Sequence, residues 1–206
     1  MSAMVKPAVK HDQVGMSDVE FLEFAPERKA ELIHGEYTVA SPASYSHERL
    51  FVFLMTVLNT FVRKHGLGVV LGSRTAVRLG IPGEVYEPDL CFIRRERTGL
   101  ITSTYVDGPP DLAIEILSRS TLHDDRVVKK AVYEHAGVSE YWVIHPNRFL
   151  TEFYRLTGLS YQLVLADDGG IYRSEAVSGF WLRLAWLWPA EGEPDPVAAL
   201  RALGMF

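Results

Sequence analysis

Residues 108–130 read GPPDLAIEILSRSTLHDDRVVKK. After Pro109-Pro110, the run Asp111-Leu112-Ala113-Ile114-Glu115-Ile116-Leu117 has the character of a short buried strand. Side chains alternate faces along a strand, so Asp111 and Glu115 share one face and Leu112, Ile114 and Ile116 take the other. A carboxylate amid apolar residues, as at Glu115, is costly unless it is paired or binds a cation. The polar run 118–121 breaks the strand. Asp124 and Asp125 then suit the first turn of a helix, where negative charge meets the positive end of the dipole. Lys129 stands four residues after Asp125, on the same helical face, and Gly137 closes the helix. Glu115 and Lys129 are therefore expected to converge at the mouth between strand end and helix. Asp111 has two readings, as a partner of Glu115 or as a cap of the strand start.

The flanking chain reads as a scaffold around this corner. Residues 1–15 are expected to form a flexible arm. Ser17-Asp18-Val19-Glu20 is a capping box that starts a short helix through Phe24. Residues 31–39 predict strand, turn and strand, with Gly35 at the bend. From Ser46 to Lys64, the residues Leu50, Phe51, Leu54, Val57, Leu58, Phe61 and Val62 recur at helical spacing, with Gly66 as the stop. Residues 69–79 read as one strand, and residues 87–93 as the next, its Pro88 at the start. After the focal strand and helix come a strand over 139–145 and a hairpin around Thr157-Gly158. The apolar segment 180–188 is expected to pack on the body and to offer surface for a homodimer. A C-terminal tail is expected over 191–206, around a single domain spanning 16–190.

Three strands in succession, then a crossover through a helix to a fourth, imply a mixed β-sheet flanked by helices, in the α/β or α+β class. The 206 residues suffice for one domain with a substantial core. No run approaches the roughly 18 apolar residues of a membrane span. The single cysteine, Cys91, excludes a zinc–thiolate cluster and an internal disulfide, and makes a cytoplasmic address the default expectation. A net charge of −5 disfavours a broadly electrostatic nucleic-acid binder.

Several pieces in fixed order carry a family resemblance: Glu31-Leu32-Ile33-His34-Gly35-Glu36, Ser41-Pro42 followed by His47, Pro88-Asp89-Leu90, Pro110-Asp111-Leu112 with Glu115 and Ser118, Ser120-Thr121, Asp125 with Lys129, and Gly137-Val138-Ser139-Glu140-Tyr141-Trp142. The chain resembles the Uma2 family of bacterial endonuclease-like proteins, within the restriction-endonuclease-like superfamily. That resemblance implies a restriction-endonuclease-like core with an extra N-terminal hairpin and C-terminal β elements. The superfamily signature, an Asp after a Pro on one strand and then an acid and a lysine on the next, falls on Asp89 and Glu115. The lysine position two residues after Glu115 holds Leu117, and the resemblance suggests Lys129 in its place. Arg119 stands where family members typically have a proline.

The resemblance implies hydrolysis of DNA phosphodiester bonds. Asp89 and Glu115 would hold Mg2+ or Mn2+, an ion that takes oxygen ligands and keeps several waters. It implies Lys129 as the nearby cation, Glu31 as a further acid of the site, and His47 as a base or ligand. Each has a plainer reading. Asp89 could bond backbone amides, Glu31 its own turn, and Lys129 only Asp125. His47, at a helix start, is expected neutral because the dipole disfavours a cation there. An alternative function is a weakly active or inactive scaffold that binds nucleic acid or protein.

Overall fold

Six strands form the central sheet. They are β3 (Gly68–Gly72), β6 (Leu90–Arg94), β8 (Leu112–Ile116), β9 (Glu140–His145), β10 (Leu150–Thr157) and β11 (Ser160–Val164). Their spatial order is β11-β10-β9-β8-β6-β3. Only β8 and β9 run parallel, joined by the crossover helix α3 (Lys130–Ala136), and the other neighbours are antiparallel. The computed structural model describes residues 15–24, 29–39, 42–117 and 124–206. Residues 1–14, expected as an arm, Ser41, the run 118–123, expected to break the strand, and the side chains of Asp124, Asp125 and Arg126 lie outside the described residues.

Alternation along β8 sorts the two faces. Leu112, Ile114 and Ile116 join Leu90, Phe92, Trp142 and Ile144 on one face, where the long helix α2 (Tyr45–His65) packs with Leu50, Leu54, Val57, Leu58, Phe61 and Val62. Each such side chain contributes roughly 1.5–3 kcal/mol by leaving water. The opposite face carries Cys91, Ile93, Ala113, Leu117, Tyr141 and Val143, packed with Tyr133 from α3. Glu115 and Asp89 belong to this second face by parity.

A second sheet, in the order β2-β1-β5-β4-β7, comprises β1 (Ala30–Ile33), β2 (Glu36–Val39), β4 (Ala76–Arg78), β5 (Val85–Tyr86) and β7 (Tyr105–Asp107). The expected hairpin is β1–β2, turned by His34 at φ 52° and Gly35 at φ 75°. Positive φ at both turn residues is what a tight two-residue hairpin demands. The capping box opens α1 (Asp18–Phe24), with Ser17 N donating to Glu20 Oε2 at 2.8 Å and Glu20 N donating to Ser17 Oγ at 3.3 Å.

Four expectations change. The single strand over 69–79 is two strands in different sheets, parted at Arg74, whose φ is 87°. The strand over 87–93 starts only at Leu90, because Pro88 has no amide donor and β5 ends at Tyr86. Helix α2 begins at Tyr45, ahead of the expected start at Ser46, and is capped by Ser44, which accepts from His47 N at 3.2 Å. Gly66 does close it, in the left-handed region. The tail expected over 191–206 contains helix α5 (Pro196–Ala202), which packs on α2 through Ala199 and Leu200. Asp195 caps it and Pro196 opens it.

The segment 180–188 packs inward as β13 (Trp181–Arg183) and α4 (Leu184–Leu187), with Phe180, Leu182 and Leu187 in the chain's own core. The apolar surface expected to serve a homodimer is largely covered within one copy. Glu140, from the 137–142 motif, is fully buried and accepts from Trp142 Nε1 at 2.6 Å, Tyr172 OH at 2.9 Å, Ser174 Oγ at 3.1 Å and the amides of Glu175 and Ala176 at 2.9 Å. Five donors on one carboxylate make it an anchor between β9 and the 172–176 segment. No helix among the described residues is long and apolar enough to cross a membrane.

Candidate active site

Strand pairing places the first two acids. Leu90 faces Ile114 across the β6–β8 ladder, and one step further along the same register sets Asp89 opposite Glu115. The amide of Ile116 donates to Asp89 Oδ2 at 2.8 Å, which ties the two strand ends together. Both acids are buried, with Asp89 3% and Glu115 2% exposed.

Helix α3 and the wide π-type turn before it, Asp124–Lys129, deliver the lysine. Lys129 Nζ lies 2.9 Å from Glu115 Oε1 and 2.8 Å from Glu31 Oε1 and is itself buried. The convergence of Glu115 and Lys129 read from strand alternation and helix spacing is present. One turn on, Tyr133 OH donates to Glu115 Oε1 at 3.1 Å. Burial, and then the charge of Glu115, holds the Tyr133 hydroxyl well above the usual tyrosine range, so it stays a donor.

Glu31 arrives from β1 in the other sheet. Besides Lys129, its Oε1 accepts from Glu87 N at 3.0 Å. Glu31 thus joins the acidic site rather than bonding its own hairpin turn. That turn is served by Glu84, which accepts from His34 N at 3.2 Å and contacts His34 Nδ1 at 2.6 Å. Glu84 also accepts from Tyr86 OH at 2.7 Å, and the Tyr86 ring faces Lys129 Nζ at 5.7 Å from its centroid.

His47, in the first turn of α2, sets Nε2 3.1 Å from Asp89 Oδ2. The helix dipole meets an opposing influence at this ring. Burial disfavours its cation, but the hydrogen bond and charge of Asp89 outweigh burial and raise the pKa. Reciprocally, burial would raise the Asp89 carboxyl, yet the His47 bond and the Lys29 charge hold it well below the usual carboxylate range. The dipole argument considered only the histidine's own helix and omitted a carboxylate from elsewhere in the chain.

Asp111 stands apart. Its carboxylate accepts from Arg94 N and Arg97 Nη1, both at 2.9 Å, at the opposite end of β8. The strand-start reading holds for Asp111.

Three residues of the cluster escaped the sequence reading. Lys29 Nζ donates to Asp89 Oδ1 at 2.7 Å. Burial would lower its pKa, but Asp89, Glu115 and Glu31 outweigh that cost and raise it. Glu87 is buried, and burial, reinforced by the charge of Glu31, pushes its carboxyl up to about 7. Tyr133 is the third. Spacing could have found all three: Lys29 lies two residues before Glu31, Glu87 two before Asp89, and Tyr133 four after Lys129.

The donor set decides which ion it suits. Glu31, Glu87, Asp89 and Glu115 supply only oxygens, the ligands of hard cations such as magnesium. Glu87 Oε2 is buried and has no hydrogen-bond partner among the described residues. Three carboxylates, Glu31, Asp89 and Glu115, are met by the two ammonium groups of Lys29 and Lys129. Among the described residues, no three His, Cys, Asp or Glu side chains form a ready-made ion cage. Lysines stand on the carboxylates instead, so an ion competes with Lys29 for Asp89 and with Lys129 for Glu115. In chemistry and charge the residues fit a divalent cation.

The family model described as "Uma2: Putative restriction endonuclease" matches residues 17–185. Among solved structures, one described as a "putative nuclease belonging to DUF820 from Anabaena variabilis ATCC 29413" is similar, with a TM-score of 0.69 at 18% identity. The match covers 84% of this chain and 97% of that one, and at such identity it speaks for the fold. No curated protein matches. The mixed sheet with flanking helices is thus a nuclease-type α+β fold, and the chain belongs to the Uma2 family.

Proposed function

We propose that this chain is a metal-dependent endonuclease that hydrolyses phosphodiester bonds in DNA. The observation that carries the reading is the meeting of Asp89 and Glu115, from neighbouring antiparallel strands, with Lys129 Nζ at 2.9 Å from Glu115. The family description and the description of the solved neighbour point the same way. Magnesium or manganese, when bound, would neutralise charge on the phosphate and lower the pKa of an attacking water.

The chain's own residues do the rest. Asp89 and Glu115 would hold the ion. The Ile116 amide and His47 fix Asp89 Oδ2, so one carboxylate oxygen has a set direction before any ion arrives. Lys129 holds a positive charge within a buried pocket, where it acts more strongly on developing negative charge than it would in water. Glu31 and Tyr133 restrict where that ammonium and Glu115 can move. Burial of the cluster limits water to the molecules the reaction needs. The lone buried Cys91 needs no oxidising compartment and accords with a cytoplasmic address.

Supercoiled plasmid incubated with Mg2+ or Mn2+ tests the reading. Wild-type protein should give nicked or linear DNA, and Glu115→Ala should lose at least about 100-fold in rate, as expected when a group acting on the transition state is removed. Cleavage that survives the substitution overturns the assignment.

A second reading has its own support. Lys29 and Lys129 already neutralise Asp89 and Glu115, and Leu117 stands at the usual lysine position. A scaffold that binds nucleic acid or protein without cutting it would look like this. Calorimetry showing no divalent-ion binding would favour the scaffold.

A further inference from the structure

The turn between β9 and β10 stands at the same end of the central sheet as the acidic cluster. Glu115 pairs with Val143 on β9, and Leu117 N donates to Ile144 O at 2.8 Å, so the ladder runs on past the acid. Strand β9 ends at His145, which pairs with Leu150 on β10, and residues 146–149 close the hairpin. At about 3.3 Å per residue, the turn begins about 10 Å beyond the Glu115–Val143 row.

Pro146 takes the second position of a bend closed by Arg148 N, which donates to His145 O at 3.1 Å. The next residue, Phe149, has φ 50°. Glycine or asparagine usually fills a left-handed position beside such a bend, and a bulky side chain there is strained. Burial does not repay the strain, because Phe149 is 65% exposed. Its ring meets Trp188 edge-on, at 6.3 Å between centroids and 87° between planes. That contact and that exposure leave ring surface open to a stacking partner. Strain held without a gain in packing points to function.

The path from Phe149 leads back to the acids. From Trp188 the chain runs to Glu193, which accepts from Tyr45 OH at 3.1 Å and from Arg49 Nη1 at 2.9 Å at the start of α2. In the same turn of α2, His47 meets Asp89. Arg148, next to Phe149, adds an exposed positive charge suited to phosphate.

We propose that Phe149 is a base-stacking residue: its ring takes the face of an unpaired nucleotide base whose strand runs on to the acidic cluster. This rests on the nucleic-acid reading above and adds to it the class of substrate, a single strand or a locally unwound duplex. An aromatic ring beside a cation is how proteins hold single strands, since every base offers a face whatever the sequence. A base in an intact duplex has both faces taken by its neighbours and meets such a ring only once unstacked.

The test uses the full chain, Ca2+ in place of Mg2+, and a mixed-sequence oligonucleotide carrying 2-aminopurine, offered as a single strand and as a duplex. Wild type should bind the single strand about tenfold or more tightly than the duplex, with 2-aminopurine quenched at one or two positions by stacking. Phe149→Asn removes the ring and puts in a residue that tolerates the left-handed region. It should melt no lower than wild type, lose the quenching, and bind the single strand about tenfold or more weakly, on the scale of one lost stacked base. Phe149→Trp should keep both affinity and quenching. Phe149→Gly, at ease at positive φ, carries the comparison if the asparagine variant fails to fold. Single-strand binding and quenching that survive in the asparagine and glycine variants overturn the role of Phe149 alone, as does a wild type that binds the duplex as tightly as the single strand. A wild type that binds neither form overturns the nucleic-acid reading and the stacking role with it.

Discussion

Lys129→Met removes the cation that joins both sheets at the site. Lys129 is 3% exposed and Glu115 2%, and Nζ lies within 2.9 Å of both Glu115 and Glu31. Taking one partner from a buried ion pair costs about 3–5 kcal/mol, because the remaining charge is buried and uncompensated. Methionine keeps the length and most of the volume of lysine, so packing loss adds little. Glu115 retains the Tyr133 hydroxyl and Glu31 retains the Glu87 amide, which sets the loss at the lower end, about 3 kcal/mol. For a chain of 206 residues this lowers Tm by roughly 6–12 °C. Urea unfolding followed by circular dichroism measures it. The double variant Lys129→Met/Glu115→Gln should lose less than the sum of the singles by at least about 1 kcal/mol, since the orphaned charge is gone. A single variant within about 0.5 kcal/mol of wild type, or strict additivity, would refute the buried-pair argument.

Other outcomes follow from the same cluster. Glu87 is buried and has its pKa raised from 4.5 to about 7. The unfolded chain releases that proton first, so this group makes stability fall as pH rises from roughly 4.5 through 7, by about 3 kcal/mol in all. Glu87→Gln should flatten that part of the stability–pH curve, and an unchanged slope would contradict the assignment. Tyr133→Phe strips one donor from Glu115 and should cost about 1.5–3 kcal/mol in urea unfolding, the range for a bond to a charged group. Glu140→Leu leaves Trp142, Tyr172 and two amides without their acceptor and should cost at least about 4 kcal/mol. A marginal effect there would show that the carboxylate is not the anchor described.

What could be read from the sequence was local. Strand alternation put Glu115 opposite Leu112, Ile114 and Ile116, and helical spacing turned Lys129 toward it. Both are short-range geometry with fixed periods. The Gly35 bend and the Gly66 stop also follow from single-residue conformational preference. What failed was non-local or cumulative. The upward pull on the His47 pKa comes from Asp89, 42 residues away in sequence, which no argument about its own helix contains. The break at Arg74 needs a non-glycine at positive φ, which composition does not announce. Lys29 and Glu87 fell outside the family motif, so their same-face spacing to Glu31 and Asp89 went unused. Helix α5 carried a visible signal, the Asp195-Pro196 start, but its seven residues are too few for periodicity to stand out.

The central claim is that Asp89 and Glu115 hold a divalent ion beside Lys129. Manganese soaked into crystals of the wild-type protein tests this most directly, through its anomalous scattering. The account predicts a peak about 2.1 Å from oxygens of both Asp89 and Glu115, with Lys29 moved off Asp89. Crystals that show no peak there, with Lys29 still bonded to Asp89 at saturating manganese, would contradict it.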